Sequence, residues 1–354
     1  MKNNKKDFYK KKELSKQLKK DTKEHYKRKE WNDRLVKYKN KIDSGKFNVQ
    51  DVPSFIEDYF NRDYKKTAEE NKSIMELKNR LEKIRTILAK YYKCKEDEIW
   101  LSDFISWEHR GKINYKVIFG NADFFYIIHD EYTEDIQIIE GDADFSRSYI
   151  KSLKNIKSIR GNLDTRYTEI QTLGDNLQWI GGDALLSVKT ETLGKVKKIG
   201  GCLNIRGCQI KDLGDLQSAG AVSAYCCGKE IHNLNELRRE LPKRVEWYNR
   251  LEQYANKIKT GKFTVKDFQR FMEDYLKEKY YEEYSYNPDF IYIKEHAYYI
   301  KDVIAKYYNC KEDEIHCGDK KFYGSLHDLY CKVVFGNVIF DDAAWPTRST
   351  CYYR

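Results

Sequence analysis

The chain has 354 residues, 40% of them apolar and 14% aromatic, with a formal charge of +10. That length holds two or three domains with cores of their own, and no run reaches the roughly 18 to 20 uncharged apolar residues of a membrane span. The Lys-rich N-terminus has no apolar stretch behind it and is not a secretory signal. Nine cysteines, an odd number without Cys-x-x-Cys spacing, point to free thiols and a cytoplasmic location.

Residues 1–30 hold 13 Lys and Arg against 5 Asp and Glu, a net +8, so residues 31–354 are only +2. The basicity belongs to an N-terminal helix or arm, with an amphipathic pattern in Phe8, Leu14, Leu18 and Tyr26. Any phosphate contact rests on this segment, and its candidates are Lys10, Lys11, Lys12, Lys19, Lys20, Lys27 and Arg28.

Residues 31–112 form a module that returns at 241–354. Tyr91 to Ile99 and Tyr307 to Ile315 differ at one position of nine, and the same offset of 216 aligns Trp31 with Trp247 and Gly45-Lys46-Phe47 with Gly261-Lys262-Phe263. Over residues 31–124, 37 of 94 aligned positions are identical without a gap, which marks an internal duplication. In each copy a first helix, from Trp31 in copy 1, stops at the glycine (Gly45 or Gly261). Asn48-x-x-Asp51, or Thr264-x-x-Asp267, then reads as a capping box for a second helix. Ile74, Leu77, Leu81, Ile84, Leu88 and Tyr91 draw a third helix ending near Cys94. Ile99 to Trp107 and Ile113 to Phe119 alternate around His109-Arg110-Gly111-Lys112, the pattern of a hairpin. In copy 2, Cys310, His316, Cys317, His327 and Cys331 tempt a zinc reading, but copy 1 has Trp100, Leu101, Gly111 and Tyr115 at four of the five places, so no metal is assigned.

Between the copies, over 113–240, leucines fall at 153, 173, 193, 213 and 234, and glycines recur at 120, 141, 161, 181, 201 and 220. The clearest unit contains Leu203-x-Ile205-x-x-Cys208-x-Ile210, which resembles the strand segment of the leucine-rich repeat. Thr190 breaks a column otherwise occupied by isoleucine, and glycine stands where that family usually opens with leucine. The expected fold class is therefore α+β: a leucine-rich-repeat-like β-solenoid, or another right-handed β-solenoid, between two copies of a three-helix-plus-hairpin module acting as a cap.

Alternation along the repeats places Ala122-Asp123-Phe124 and its counterparts in, out, in. The outward columns supply the candidate partner-binding residues: Asn121, Asp123, Asp142, Asp144, Asn162, Asp164, Arg166, Asp183, Asn204 and Arg206. No phosphate-binding loop, His-Glu-x-x-His, nucleophile elbow or paired-carboxylate pattern is present, so no catalytic residue and no cofactor is assigned. The resemblance to leucine-rich repeats implies a non-enzymatic protein binder that uses its exposed strand face to hold, and in some settings inhibit, a protein partner. The alternative is a nucleic-acid-associated protein using the Lys-rich arm; the compact, repeat-built sequence would also suit a phage or mobile-element inhibitor of a host nucleic-acid enzyme.

Overall fold

The computed structural model describes residues 2–61, 72–102, 104–106, 113–226, 229–275, 287–317, 320–322, 332–335 and 338–340. The chain divides into two compact units, one of residues 1–168 with 174–183 and the other of residues 169–173 with 184–354.

In the first unit, helix α1 (Lys2–Asp43) starts far earlier than the expected Trp31, because nothing between Lys2 and Asp43 interrupts it: the stretch has neither Gly nor Pro. It ends as expected at Gly45, with φ of 68° and the Lys46 N–H donating to the Lys41 carbonyl at 2.8 Å. The capping box is present, with Asn48 Oδ1 accepting from Gln50 N and Asp51 accepting from Asn48 N, ahead of α2 (Val52–Tyr59). The expected third helix is broken into α3 (Lys72–Lys78), a 3-10 turn over Leu81–Ile84, and α4 (Arg85–Tyr92). Lys93, at φ 55°, turns the chain out of α4.

These helices bury Trp31, Leu35, Phe55, Leu77 and Leu88 together with Ile99 and Val117 of the strands that follow and Phe119 just after the second of these. Trp31 Nε1 donates to the Asp58 carbonyl at 2.8 Å, while the Asp58 carboxylate takes the Arg34 guanidinium and the Tyr38 hydroxyl. That pairing satisfies the carboxylate of Asp58, a residue only 6% exposed, and burial, helped by the Asp58 charge, raises the Tyr38 hydroxyl well above its ordinary range.

The strands of this unit are β1 (Ile99–Trp100), β2 (Phe104–Ser106), β3 (Val117–Ile118), β4 (Asn121–Asp123), β5 (Ile138–Ile139), β6 (Ala143–Asp144), β7 (Ser158–Ile159), β8 (Leu163–Asp164) and β9 (Trp179–Ile180). They make two parallel ladders, β1-β3-β5-β7-β9 and β2-β4-β6-β8, with register steps of about 20 residues, such as Ile139 to Ile159 and Asp144 to Asp164. Ile118, Ile139, Ile159 and Ile180 are fully buried at the first ladder, and Phe124 and Phe145 meet at 4.9 Å beside the second. The recurring glycines stand where turn lies against turn: a Cβ on Gly161 would collide with the Gly141 carbonyl oxygen.

The second unit holds β10 (Ala184–Leu185), β11 (Lys198–Asn204), β12 (Ser218–Cys226) and β13 (Lys229–Ile231). The β10-β11 and β11-β12 pairings are parallel and β12-β13 is antiparallel. Copy 2 of the module follows as α5 (Leu234–Lys259), α6 (Val265–Tyr275), α7 (Pro288–Glu295) and α8 (Lys301–Tyr308), with α5 packed on β12. Then come β14 (Ile315–Cys317), β15 (Lys320–Phe322), β16 (Val333–Phe335) and β17 (Val338–Phe340).

Three expectations are corrected. Each turn of about 20 residues contributes two strands, as β7 and β8 do. A leucine-rich repeat contributes a single strand followed by a helix or 3-10 segment. The architecture is a parallel-sheet α/β one with helices from the two module copies, and it replaces the leucine-rich-repeat-like solenoid in both the family resemblance and the fold class. The module hairpin is also absent among the described residues: β1 pairs parallel with β3 and β2 with β4, and β14 with β16 and β15 with β17 repeat this in copy 2. Parallel partners cannot be joined by a tight turn. Finally, Thr190 is no irregularity, because its buried hydroxyl donates to the Ile170 carbonyl at 3.1 Å.

Candidate partner-binding surface

The acidic and amide columns predicted to face a partner do alternate outward, but most of their hydrogen-bonding capacity is turned back on the chain. Asn121 Oδ1 accepts from Asp142 N at 2.9 Å, Asp142 Oδ1 from Asn162 N at 2.7 Å, and Asn162 Oδ1 from Asp183 N at 2.7 Å. Each of these side chains therefore caps a backbone donor of the next turn, a service for which polar side chains suit the start of a short strand. Asp123, Asp144, Asp164 and Asn204 form a second set, each accepting from the backbone N–H two residues on at 2.8–3.1 Å. They close the corner after the strand as Asx turns. Asp123 pairs with Asp144 and Asp144 with Asp164 in the parallel register, so like charges do stand on adjacent strands.

Of the two predicted arginines, Arg166 forks onto Asp164, with Nη2 to Oδ2 at 2.6 Å, and Arg206 pairs with Glu230. Both are exposed, where such pairs contribute little to stability. Lys19, Lys20, Lys27 and Arg28 are exposed on α1, while the side chains of Lys10, Lys11 and Lys12 lie outside the described residues, although their backbone belongs to α1.

The sequence reading missed the corner beside these columns. Tyr126, Arg147 and Tyr167 follow one another at steps of 21 and 20 residues and take φ values of 61°, 57° and 61°. A left-handed conformation costs a residue with a Cβ roughly 1–2 kcal/mol, and Gly207 occupies the matching place of a later turn at φ 74° without that cost. Tyr126 is 49% exposed and Tyr167 68% exposed, so core packing does not offset the strain; Tyr149 and Ile128, two residues further along their turns, are exposed as well. The Arg147 guanidinium lies 5.9 Å from the Phe125 ring centre and 5.5 Å from that of Tyr167. A signal for this corner was legible: the column two places after the Asp column reads Phe125, Ser146, Arg166, and the next reads Tyr126, Arg147, Tyr167.

The cysteines tempting for zinc do not converge in what is described. Cys310 and Cys317 pack at the edge of the copy 2 core, where burial pushes the Cys317 thiol up, and His327 and Cys331 lie outside the described residues. Cys94, the counterpart of Cys310, is likewise raised by burial, which removes thiolate character. Among the described residues no group of three His, Cys, Asp or Glu is placed to hold a metal ion. An open groove of about 600 Å³ lies between the turn at Lys211–Leu216 and α5, near Arg238, Leu241 and Pro242. Its arginine is spent on the Leu216 carbonyl, to which Nη2 donates at 2.6 Å. Among the described residues no helix is long and apolar enough to cross a membrane. No family model, no curated protein and no solved structure matches the chain.

Proposed function

We propose that the chain is a non-enzymatic protein-binding protein whose repeated strand turns hold a partner through their exposed side. The observation that carries this reading is the row of large side chains displayed on successive turns: Tyr126, Tyr149 and Tyr167 are 49%, 65% and 68% exposed, and the ladder hydrogen bonds beneath them fix their spacing. Tyrosine supplies a broad contact area with few rotatable bonds, which is why it recurs at the energetic centres of interfaces. In this reading the Asp and Asn columns are the scaffold that positions the contact row, and the charged side chains beside it, Arg166 among them, form its rim.

The test is capture of partners from native cells by the tagged full-length chain after nuclease treatment, run beside the Tyr126→Ala/Tyr149→Ala/Tyr167→Ala variant. A protein retained by the parent chain and lost by the triple variant, with both melting alike, supports the reading. Equal retention by the two overturns it. A second reading, nucleic-acid association, has the exposed Lys19, Lys20 and Lys27 of α1 in its favour. It requires the captured material to disappear with nuclease and the chain's affinity for DNA to fall steeply with salt.

A further inference from the structure

The row of tyrosines contains one cation of a particular kind. Arg147 is exposed, it has no ion pair among the described residues, and its guanidinium is held between the rings of Phe125 and Tyr167. A cation–π contact restrains a guanidinium over the ring face while leaving its N–H edge able to face solvent, and that edge matches the two oxygens of a carboxylate. The carboxylates of the Asp column three places before this corner are already engaged: Asp144 with the Ser146 N–H, Asp164 with Arg166, and Asp123 with the Phe125 N–H. Among the described residues Arg147 has no carboxylate partner, whereas Arg166 and Arg206 each have theirs.

The backbone supplies an independent observation. Tyr126, Arg147 and Tyr167 all sit in the left-handed region, where glycine would be at ease. Strain retained on three successive turns by exposed side chains marks a surface kept for contact.

Resting on the protein-binding reading above, we propose that Tyr126, Arg147 and Tyr167 form a clamp for an acidic segment of the partner protein. Arg147 receives an Asp or Glu carboxylate through its open edge, and the flanking tyrosines cover the pair from water. The lack of an ion pair among the described residues argues for an acidic partner, and the position of the guanidinium over two rings argues for a carboxylate over a diffuse negative surface.

The experiment measures binding of a labelled twelve-residue Glu-rich peptide containing one Trp to the full-length chain at low salt, beside a single-stranded oligonucleotide of equal charge. The expected result is saturable peptide binding that weakens at least tenfold in Arg147→Lys, which keeps the charge and loses the fork, and less than threefold in Arg166→Lys. Tyr126→Gly/Tyr167→Gly should weaken it similarly without lowering the melting temperature, because glycine relieves the backbone. No saturable peptide binding, equal loss in the two arginine variants, or tighter oligonucleotide binding that also depends on Arg147 would each overturn the clamp. Cellular capture that survives Arg147→Lys but fails in the triple Tyr→Ala variant overturns the clamp alone and leaves the protein-binding reading standing.

Discussion

Arg28 and Arg244 occupy matching positions, 216 residues apart, three residues before Trp31 and Trp247 on α1 and α5, and their surroundings are opposite. Arg28 is exposed on α1, whereas Arg244 is 1% exposed, donating to the Cys208 carbonyl and, through Nη2, to the Tyr248 hydroxyl at 2.8 Å. The first turns of α5 bury Leu234, Leu237 and Leu241 on the same side, while Asp21 and His25, the counterparts of Leu237 and Leu241, are exposed on α1. Inside the modules the wiring is shared. Arg34–Asp58 answers Arg250–Asp274, Lys41–Asp51 answers Lys257–Asp267, and Lys116–Glu98 answers Lys332–Glu314. Duplication therefore preserved the ion pairs that fix each module and let its outer faces diverge.

One face shows the divergence most clearly. In copy 1, Asp43 holds Arg80 and Lys83, and Lys39 holds Glu76. The matching places in copy 2 are Lys259, His296, Tyr299, Ala255 and Tyr292, and there the rings stack: His296 lies 3.9 Å from Tyr292, with Lys259 4.5 Å above the Tyr292 ring. An ionic seam has become an aromatic one.

The largest expected effect separates the two arginines. Arg244→Ala should cost about 2–3 kcal/mol in urea unfolding, because it removes a buried, hydrogen-bonded side chain, and Arg28→Ala should stay within about 0.5 kcal/mol. Equal effects would show that α5 does not need its arginine to hold the turn at Cys208. An intermediate effect is expected from the turns between the modules: Asn162→Leu strips the Asp183 N–H of its acceptor and should cost about 1–2 kcal/mol. Asp123→Asn/Asp144→Asn/Asp164→Asn retains each acceptor and should change the melting temperature little.

Acid sharpens the contrast between the faces. Arg80 and Lys83 hold the Asp43 carboxyl at about 2, and the Glu76 and Glu82 carboxyls are also held down, by Lys39 and Arg85. A carboxyl with a depressed folded-state pKa contributes stability above its unfolded value, near 4, and loses it as pH falls toward the folded value. Between pH 4 and 2, amide exchange corrected for intrinsic rates should therefore accelerate more around α3 in copy 1 than around α7 in copy 2, where the matching residues are Lys259, Tyr292 and Tyr298. The smallest effect belongs to a graft: Lys259→Asp/His296→Arg writes the copy 1 pair into copy 2 and should alter stability by no more than about 1 kcal/mol, since the site is partly exposed.

The local punctuation was legible in the sequence because it depends on neighbouring residues alone: Gly45 as a stop, Asn48 and Asp51 as a box, and the inward Ala122 and Phe124 around Asp123. The pairing of Ile99–Trp100 was not, since alternation has the same period in parallel and antiparallel strands. The second strand of each turn escaped notice because two-residue strands such as Leu163–Asp164 are too short to show a period of their own. The carboxylate columns were read as a surface because sequence records their charge and leaves out the backbone N–H that each one faces. The arginine corner was missed for a different reason: the column Tyr126, Arg147, Tyr167 could be read off the repeat, but nothing in its composition announces a left-handed backbone.

The ladder Asn121, Asp142, Asn162, Asp183 alternates amide with acid, which sets its chemical durability. Strands in a sheet lie about 5 Å apart, so every second rung spaces the charges by about 10 Å, close to the screening length of 0.1 M salt. Hydrolysis of the Asn162 side-chain amide during ageing would leave the shape and the acceptor in place but set carboxylates on three successive rungs. A spine that tolerates its native charge at any ordinary salt would then depend on counter-ions, and old protein would reveal itself by melting early in dilute buffer.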